Sequence, residues 1–312
     1  MNTPIDKVTT KLPTAFGHDA PIVQISEDHY ERSPVATAIS RVIASSPKQW
    51  STRVGLFGRW GEGKTSILNL LEAQQREAGN LVIRYSPWGV LSEEDVWRSF
   101  GEALIVGLKA HGLRPSLTVR AWQWVKRNSG SIGNWVRRIG RVFETTAQLP
   151  GSGAGADFAS NLILRYMKVS RVDVDHIAAN LGERRVVVFI DDLDRTDPHL
   201  VPKLLLAVRE LLDFRGFVFV LAFDKQVVSE ALKAHNAAWG NTSESFLDKI
   251  IDFPFEVSAP TSEQVLRLAL AQFSQICPFV PESAVIDVAT HLPHNPRKLK
   301  LLSRMVASME QE

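Results

Sequence analysis

The sequence predicts an α/β fold: a mostly parallel sheet flanked by helices and followed by a helical C-terminal segment. Three observations lead there. Val186 to Ile190 and Phe217 to Ala222 are apolar at every position, which suits strands buried on both faces of a parallel sheet. Segments of helical period separate the strand-like runs. A glycine-rich stretch, Gly58 to Thr65, lies between one such run and a helix.

Composition narrows the class. The chain has 312 residues, 45% hydrophobic and 22% charged, which excludes a disordered or low-complexity polymer. That length gives one large α/β domain with a lid, or two smaller domains. The single cysteine, Cys277, excludes an intrachain disulfide framework. Met1 to Gly17 mixes Thr, Lys and Pro without an apolar core, so no signal peptide is expected. No stretch approaches the roughly 18–20 apolar residues of a membrane span. A cytoplasmic protein, at most peripheral to a membrane, is expected.

The elements follow in order. Residues 1–30 read as an irregular arm. Pro34 opens a helix from Val35 to about Ser46, since proline fits a first helical turn. Arg53 to Phe57 reads as a short strand, Lys64 to about Ala78 as a helix stopped by Gly79-Asn80, and Leu81 to Tyr85 as a second strand. The cluster Ser92-Glu93-Glu94-Asp95 caps a helix to Ala110. Residues 111–180 break the rhythm with Trp122, Trp124, Trp135 and the tract Pro150 to Ala156, and read as an insertion between sheet strands. Alternation resumes with strand Val186 to Ile190, a helix from about Pro198 to Leu212, strand Phe217 to Ala222, a helix from Lys225 to His235, and a strand near Ile251 to Val257. Helices are expected at about 261–275, 281–291 and 295–309. The resulting division is an arm (1–30), a core (31–110 and 181–258), an insertion (111–180) and a helical lid (259–312).

The chemistry begins at Gly58-Arg59-Trp60-Gly61-Glu62-Gly63-Lys64-Thr65, which fits G-x-x-x-x-G-K-[ST] at every fixed position. Glycines let successive N–H groups converge on phosphate oxygens, and the following helix turns its positive N-terminus to the same anion. Gly58, Gly61, Glu62, Gly63, Lys64, Thr65 and Ser66 are therefore the candidate nucleotide contacts. Lys64 is expected on the β- and γ-phosphates and the Thr65 hydroxyl on Mg²⁺. Such a site needs carboxylates at the end of a neighbouring strand, and Asp191-Asp192 after Val186–Ile190 supply them. Asp191 is assigned to the metal and Asp192 to polarising the attacking water. Asp194 and Arg195 are read as an internal ion pair that also caps the next helix, and Trp60 as packing the loop. Eight scattered histidines and one cysteine give no zinc-ligand spacing.

The strings Gly58 to Ser66 and Phe189-Ile190-Asp191-Asp192-Leu193-Asp194-Arg195 resemble the KAP family of P-loop NTPases. Tyr85-Ser86-Pro87-Trp88, Phe219 to Asp224, Leu247 to Phe255 and Asn295-Pro296-Arg297-Lys298-Leu299-Lys300 agree with that family in the same order. The resemblance covers residues from about 30 to 305. It implies ATP with Mg²⁺, an ATPase cycle that drives a conformational or assembly switch, and about five strands in the order 5-1-4-3-2. It places Asp224 at a sensor position beside the γ-phosphate and brings Arg297 from the lid to the phosphates. Bacterial relatives of this kind are associated with phage exclusion and defence. An arginine finger is open between Arg195, Arg209, Arg215 and none of them. Many members carry transmembrane helices where this chain has its insertion, whose contents here are basic and aromatic.

That insertion holds the chain's charge asymmetry. From Ala103 to Phe143 there is no acidic residue, although the whole chain has 36 Lys and Arg against 34 Asp and Glu. Trp135, Val136, Ile139, Val142 and Phe143 share a helical face opposite Arg137, Arg138 and Arg141. Four roles stay open for it: packing on the body, a protein or homo-oligomer contact, an anionic membrane surface, or nucleic acid. The functional alternatives are a nucleic-acid-associated ATPase using residues 103–143, a small-molecule kinase, and a slow nucleotide-gated scaffold at a membrane surface. Adjacent acids and the Asn-Pro-Arg string argue against the kinase, which needs a hydroxyl acceptor in place of water.

Overall fold

The computed structural model describes residues 20–112, 178–210, 214–235 and 243–309, which fall into two compact units. The larger spans Ser33–Trp60 and Lys64–Val257. Its strands are β1 (Thr52–Phe57), β2 (Leu81–Tyr85), β3 (Val186–Ile190), β4 (Phe217–Phe223) and β5 (Phe253–Glu256). They form one sheet in the order β2-β3-β4-β1-β5, with every pairing parallel. This is the expected order, counted from the other edge.

The reason lies in the side chains. β3 and β4 are buried at every position, whereas β5, at an edge, is mostly exposed. A strand without a polar face can be satisfied only inside the sheet. In-register pairs such as Val188 with Phe219 and Gly55 with Leu221 fix the neighbours. Parallel pairing requires crossovers, and after the leading helix α1 (Ser33–Ser45) helices supply them: α2 (Lys64–Glu77), α3 (Glu93–Ala110), α4 (Val201–Glu210), α5 (Lys225–His235) and α6 (Ser243–Asp248). Ser92 caps α3 as expected, its hydroxyl accepting from the Asp95 amide at 3.2 Å. Gly107 lets α3 sit close on β2, for a Cβ there would lie 2.6 Å from Ile83.

One helix start differs from expectation. α4 begins at Val201, and Asp197 organises the turn before it: its carboxylate accepts from the His199 amide at 2.9 Å and its carbonyl from Leu200 at 2.8 Å. The turn that leads into α4 is therefore organised by Asp197, while Asp194 faces Lys64 and Arg195 faces Asp192. At the other end of α4, the Arg53 guanidinium donates to the carbonyls of Val208 (3.1 Å) and Arg209 (2.9 Å), placing a cation at the negative pole of the helix.

The smaller unit comprises residues 20–32, Gly61–Gly63 and 258–309. It contains α7 (Ser262–Ile276), α8 (Glu282–Asp287) and α9 (Pro296–Ser308), around a core of Val265, Leu268, Phe273, Cys277, Val285 and Leu299. The Thr261 hydroxyl and the Gln264 side chain cap the start of α7 reciprocally. Cys277 is buried, and its thiol donates to the Ser303 carbonyl at 3.2 Å, so the lone cysteine is structural. Among the described residues, no helix is long and apolar enough to cross a membrane.

Candidate functional site

The carboxyl ends of β1 and β3 bring the sequence motifs together. After Phe57 the chain leaves the sheet through Gly58, whose amide donates to the Phe223 carbonyl at 3.2 Å. Gly61 and Gly63 have φ of 82° and 98°, a region where side chains are costly and glycine is not. Lys64 and Thr65 then open α2. The Thr65 hydroxyl donates to Asp191 Oδ2 at 2.9 Å. The loop and the acidic strand end therefore meet, 126 residues apart in sequence.

Lys64 is buried and turned inward. Its Nζ donates to the Gly58 carbonyl at 2.8 Å, to the Arg59 carbonyl at 3.4 Å and to Asp194 Oδ2 at 3.4 Å. The lysine and aspartate side chains are only 8% and 7% exposed, so each charge depends on the other. Asp194 also accepts from the Asp224 amide at 3.2 Å. It thus links the loop lysine to the end of β4, a role that sequence reasoning missed when it paired Asp194 with Arg195.

Asp191 and Asp192 differ sharply despite being adjacent. Asp191 Oδ1 accepts from the Asp192 amide at 2.9 Å, leaving Oδ2 towards Thr65. Asp192 takes the left-handed conformation, φ 58° and ψ 29°, which turns the chain into a single 3₁₀ turn over Leu193–Arg195. That turn buries Leu193 and sends Asp194 back towards Lys64. Burial pushes the Asp192 carboxyl pKa up, and the neighbouring Asp191 adds to the rise, while Arg195, with Nε 3.1 Å from Asp192 Oδ1, opposes it.

The remaining expected residues are placed as follows. The Asp224 carboxylate accepts from the Gln226 amide at 3.0 Å, the arrangement of a helix cap. Arg297 follows the Asn295 cap of α9; its amide, with that of Lys298, donates to Asn295 Oδ1. Within the same compact unit, a Cβ on Gly61 would lie 2.7 Å from Asn295 Oδ1 and 3.0 Å from the Arg297 Cβ. Gly61 is thus fixed twice over, by its φ and by that contact. Glu62 and Ser66 lie in the loop and the first turn of α2. Trp60 is 55% exposed, and the Arg195 guanidinium lies 5.8 Å from its ring centroid. Of the candidate arginine fingers, Arg195 stands at the carboxyl edge of the sheet; Arg209 and Arg215 lie towards the ends where β1 and β4 begin. Arg137, Arg138, Arg141 and residues 113–177 of the expected insertion lie outside the described residues.

The donor set suits a nucleotide and a hard cation. Thr65 and Asp191 offer hydroxyl and carboxylate oxygens side by side, the type of ligand Mg²⁺ shares with phosphate and water. The positive-φ glycines and the amides that open α2 suit an anion.

A model of the KAP family P-loop domain matches residues 32–311. The chain belongs to the KAP family. A curated relative, the phage T7 exclusion protein of Escherichia coli (strain K12), is 26% identical over 305 residues. The match covers 90% of this chain but 40% of that protein, so the chain spans less than half the relative's length. Among solved structures, a Walker-type ATPase of Pyrococcus abyssi superposes with a TM-score of 0.50 at 12% identity, covering 93% of this chain and 70% of the other. That likeness concerns the P-loop fold alone. The match of the KAP domain takes in both the Gly58–Ser66 loop and the Phe189–Arg195 strand end described above.

Proposed function

We propose that this KAP domain binds ATP with Mg²⁺ and hydrolyses it, driving a conformational or assembly switch. The observation that supports this best is the 2.9 Å bond between Thr65 and Asp191, with Lys64 and Asp194 buried beside it. In this reading Thr65 and Asp191 hold the metal, which when bound screens phosphate charge and orients the triphosphate. Loop amides of Gly58, Gly61, Glu62 and Gly63, with the first turn of α2 at Ser66, cradle the phosphates. Lys64 exchanges Asp194 and two loop carbonyls for phosphate oxygens. Asp192, whose raised pKa makes it a better base than an ordinary carboxylate, accepts the proton of the attacking water. Arg297 acts from the start of α9. Asp224 contributes through its amide, which fixes Asp194, and its carboxylate caps α5. The name of the Escherichia coli relative supports a place in phage defence.

Phosphate release from ATP and Mg²⁺ with no added acceptor tests the reading. The wild-type chain turns over, whereas Lys64→Ala loses nucleotide uptake and turnover together, by a hundredfold or more, on the order of 3 kcal/mol. A wild-type protein that fails to bind ATP in calorimetry sinks it.

A further inference from the structure

The loops that leave the carboxyl ends of β1, β2 and β3 carry Trp60, Trp88 and Arg195. They meet around one guanidinium. Arg195 Cζ lies 5.1 Å from the Trp88 ring centroid and 5.8 Å from that of Trp60. Nε of the same side chain lies 3.1 Å from Asp192 Oδ1. The two indoles are 55% and 62% exposed, so core burial does not account for their position at this rim. A flat cation against two aromatic faces and a carboxylate loses most of its rotational freedom. The Trp88 loop is itself a defined turn: the Val90 amide donates to the Pro87 carbonyl at 3.2 Å, and the Trp88 amide to Ser86 Oγ at 3.3 Å. Asp192 itself takes the left-handed backbone conformation, with φ of 58°.

We propose that Arg195 is a positioning residue: clamped by Trp60 and Trp88, it sets the direction of the Asp192 carboxylate and ties that direction to the phosphate loop. The proposal rests on the hydrolytic reading, in which Asp192 receives the water proton. Trp60 immediately precedes Gly61, so a loop that rearranges around a triphosphate moves the indole on which Arg195 rests. The carboxylate is thereby aimed by the same event that delivers the phosphate. This also gives Arg195 a defined role within its own chain, where the sequence alone left it between an internal ion pair and an arginine finger.

The test uses the full chain with ATP and Mg²⁺, comparing Arg195→Met, Arg195→Lys, Trp88→Leu, Asp192→Asn and the Arg195→Met/Asp192→Asn double variant. Single-turnover phosphate release gives the rate, and titration with a slowly hydrolysed ATP analogue gives the affinity. Arg195→Met is expected to lower the rate by about fivefold or more and to leave the analogue affinity within about fivefold. Lysine, which keeps the charge but not the flat face, restores less than half of that loss, and Trp88→Leu lowers the rate in the same direction. In the Asp192→Asn background, Arg195→Met costs less than about twofold more, because a residue acting through Asp192 has nothing left to position. A smaller loss in Arg195→Met, a parallel loss of affinity, or an additive loss in the double variant overturns the proposal. Should Arg195→Met fail to fold, wild-type rates in both Arg195→Lys and Trp88→Leu overturn it. A wild-type chain without hydrolysis removes the hydrolytic reading and this proposal together; an active wild type with a fully active Arg195→Met removes the proposal alone.

Discussion

β3 and β4 are parallel neighbours in one sheet, and each is followed at once by an aspartate. They behave differently. After β4 the chain passes directly into α5, with the Asp224 carboxylate on the Gln226 amide and its carbonyl accepting from Val228 at 3.1 Å. After β3 the backbone reverses through a left-handed aspartate and distributes Asp191, Asp192 and Asp194 to Thr65, Arg195 and Lys64 in turn. The Asp224 carboxylate serves its own helix, whereas Asp191 and Asp194 meet side chains from the start of α2 and Asp192 meets Arg195 of its own turn.

The largest expected effect concerns the buried pair. Asp194→Asn keeps a group that accepts from the Asp224 amide but removes the counter-charge of Lys64. Breaking a buried ion pair from one side costs about 3–5 kcal/mol, and the melting temperature should fall by roughly 10 °C. Saturating ATP and Mg²⁺ should stabilise this variant more than the wild type, because phosphate replaces the missing anion without displacing Asp194. Thermal unfolding with and without nucleotide measures both. A fall of less than about 2 °C would mean that the Lys64 charge is balanced elsewhere.

Asp192 is the converse case, a charge held at the expense of stability. Its folded pKa is raised, so the ionised form is disfavoured in the native state. The sign follows: stability is present below the unfolded pKa, where both states are protonated, and is lost as pH rises through the folded pKa. Asp192→Asn removes that burden, and asparagine accepts the left-handed φ well. The variant should lose turnover by about a hundredfold yet melt about 1–3 °C higher at neutral pH. The gain should shrink as the pH falls below the ordinary carboxylate range. Turnover that survives the substitution would transfer the proton to another group.

Much of this contrast was legible in the chain, and some of it was not. Five apolar residues before two aspartates mark a buried strand delivering acids to its carboxyl end, and the glycine spacing marks the loop. The assignment of Asp194 was hidden because three aspartates of one chemical type stand within four positions; only the φ of Asp192 decides which side each one faces. Trp60, Trp88 and Arg195 come together only through the sheet order, which sets the loops of β1, β2 and β3 along one edge. Asp197 as the organiser of the turn before α4 was likewise concealed, since Asp192, Asp194 and Asp197 are all residue types that favour such a role.

The smallest effect tests whether the β4 end is as quiet as its geometry. If the Asp224 carboxylate serves only as a cap, Asp224→Asn retains an acceptor for the Gln226 amide and should leave turnover within about threefold of wild type. Asp224→Ala should then cost about 1 kcal/mol of stability, the usual value of a lost N-cap, and lower the melting temperature by roughly 2–4 °C. A carboxylate that senses the γ-phosphate behaves otherwise: Asp224→Asn would slow hydrolysis severalfold more with no change in melting. The two substitutions together separate charge from capping, because asparagine removes only the first and alanine removes both. A slow but fully stable Asp224→Asn would make the two strand ends alike, and the division of labour between β3 and β4 would fall.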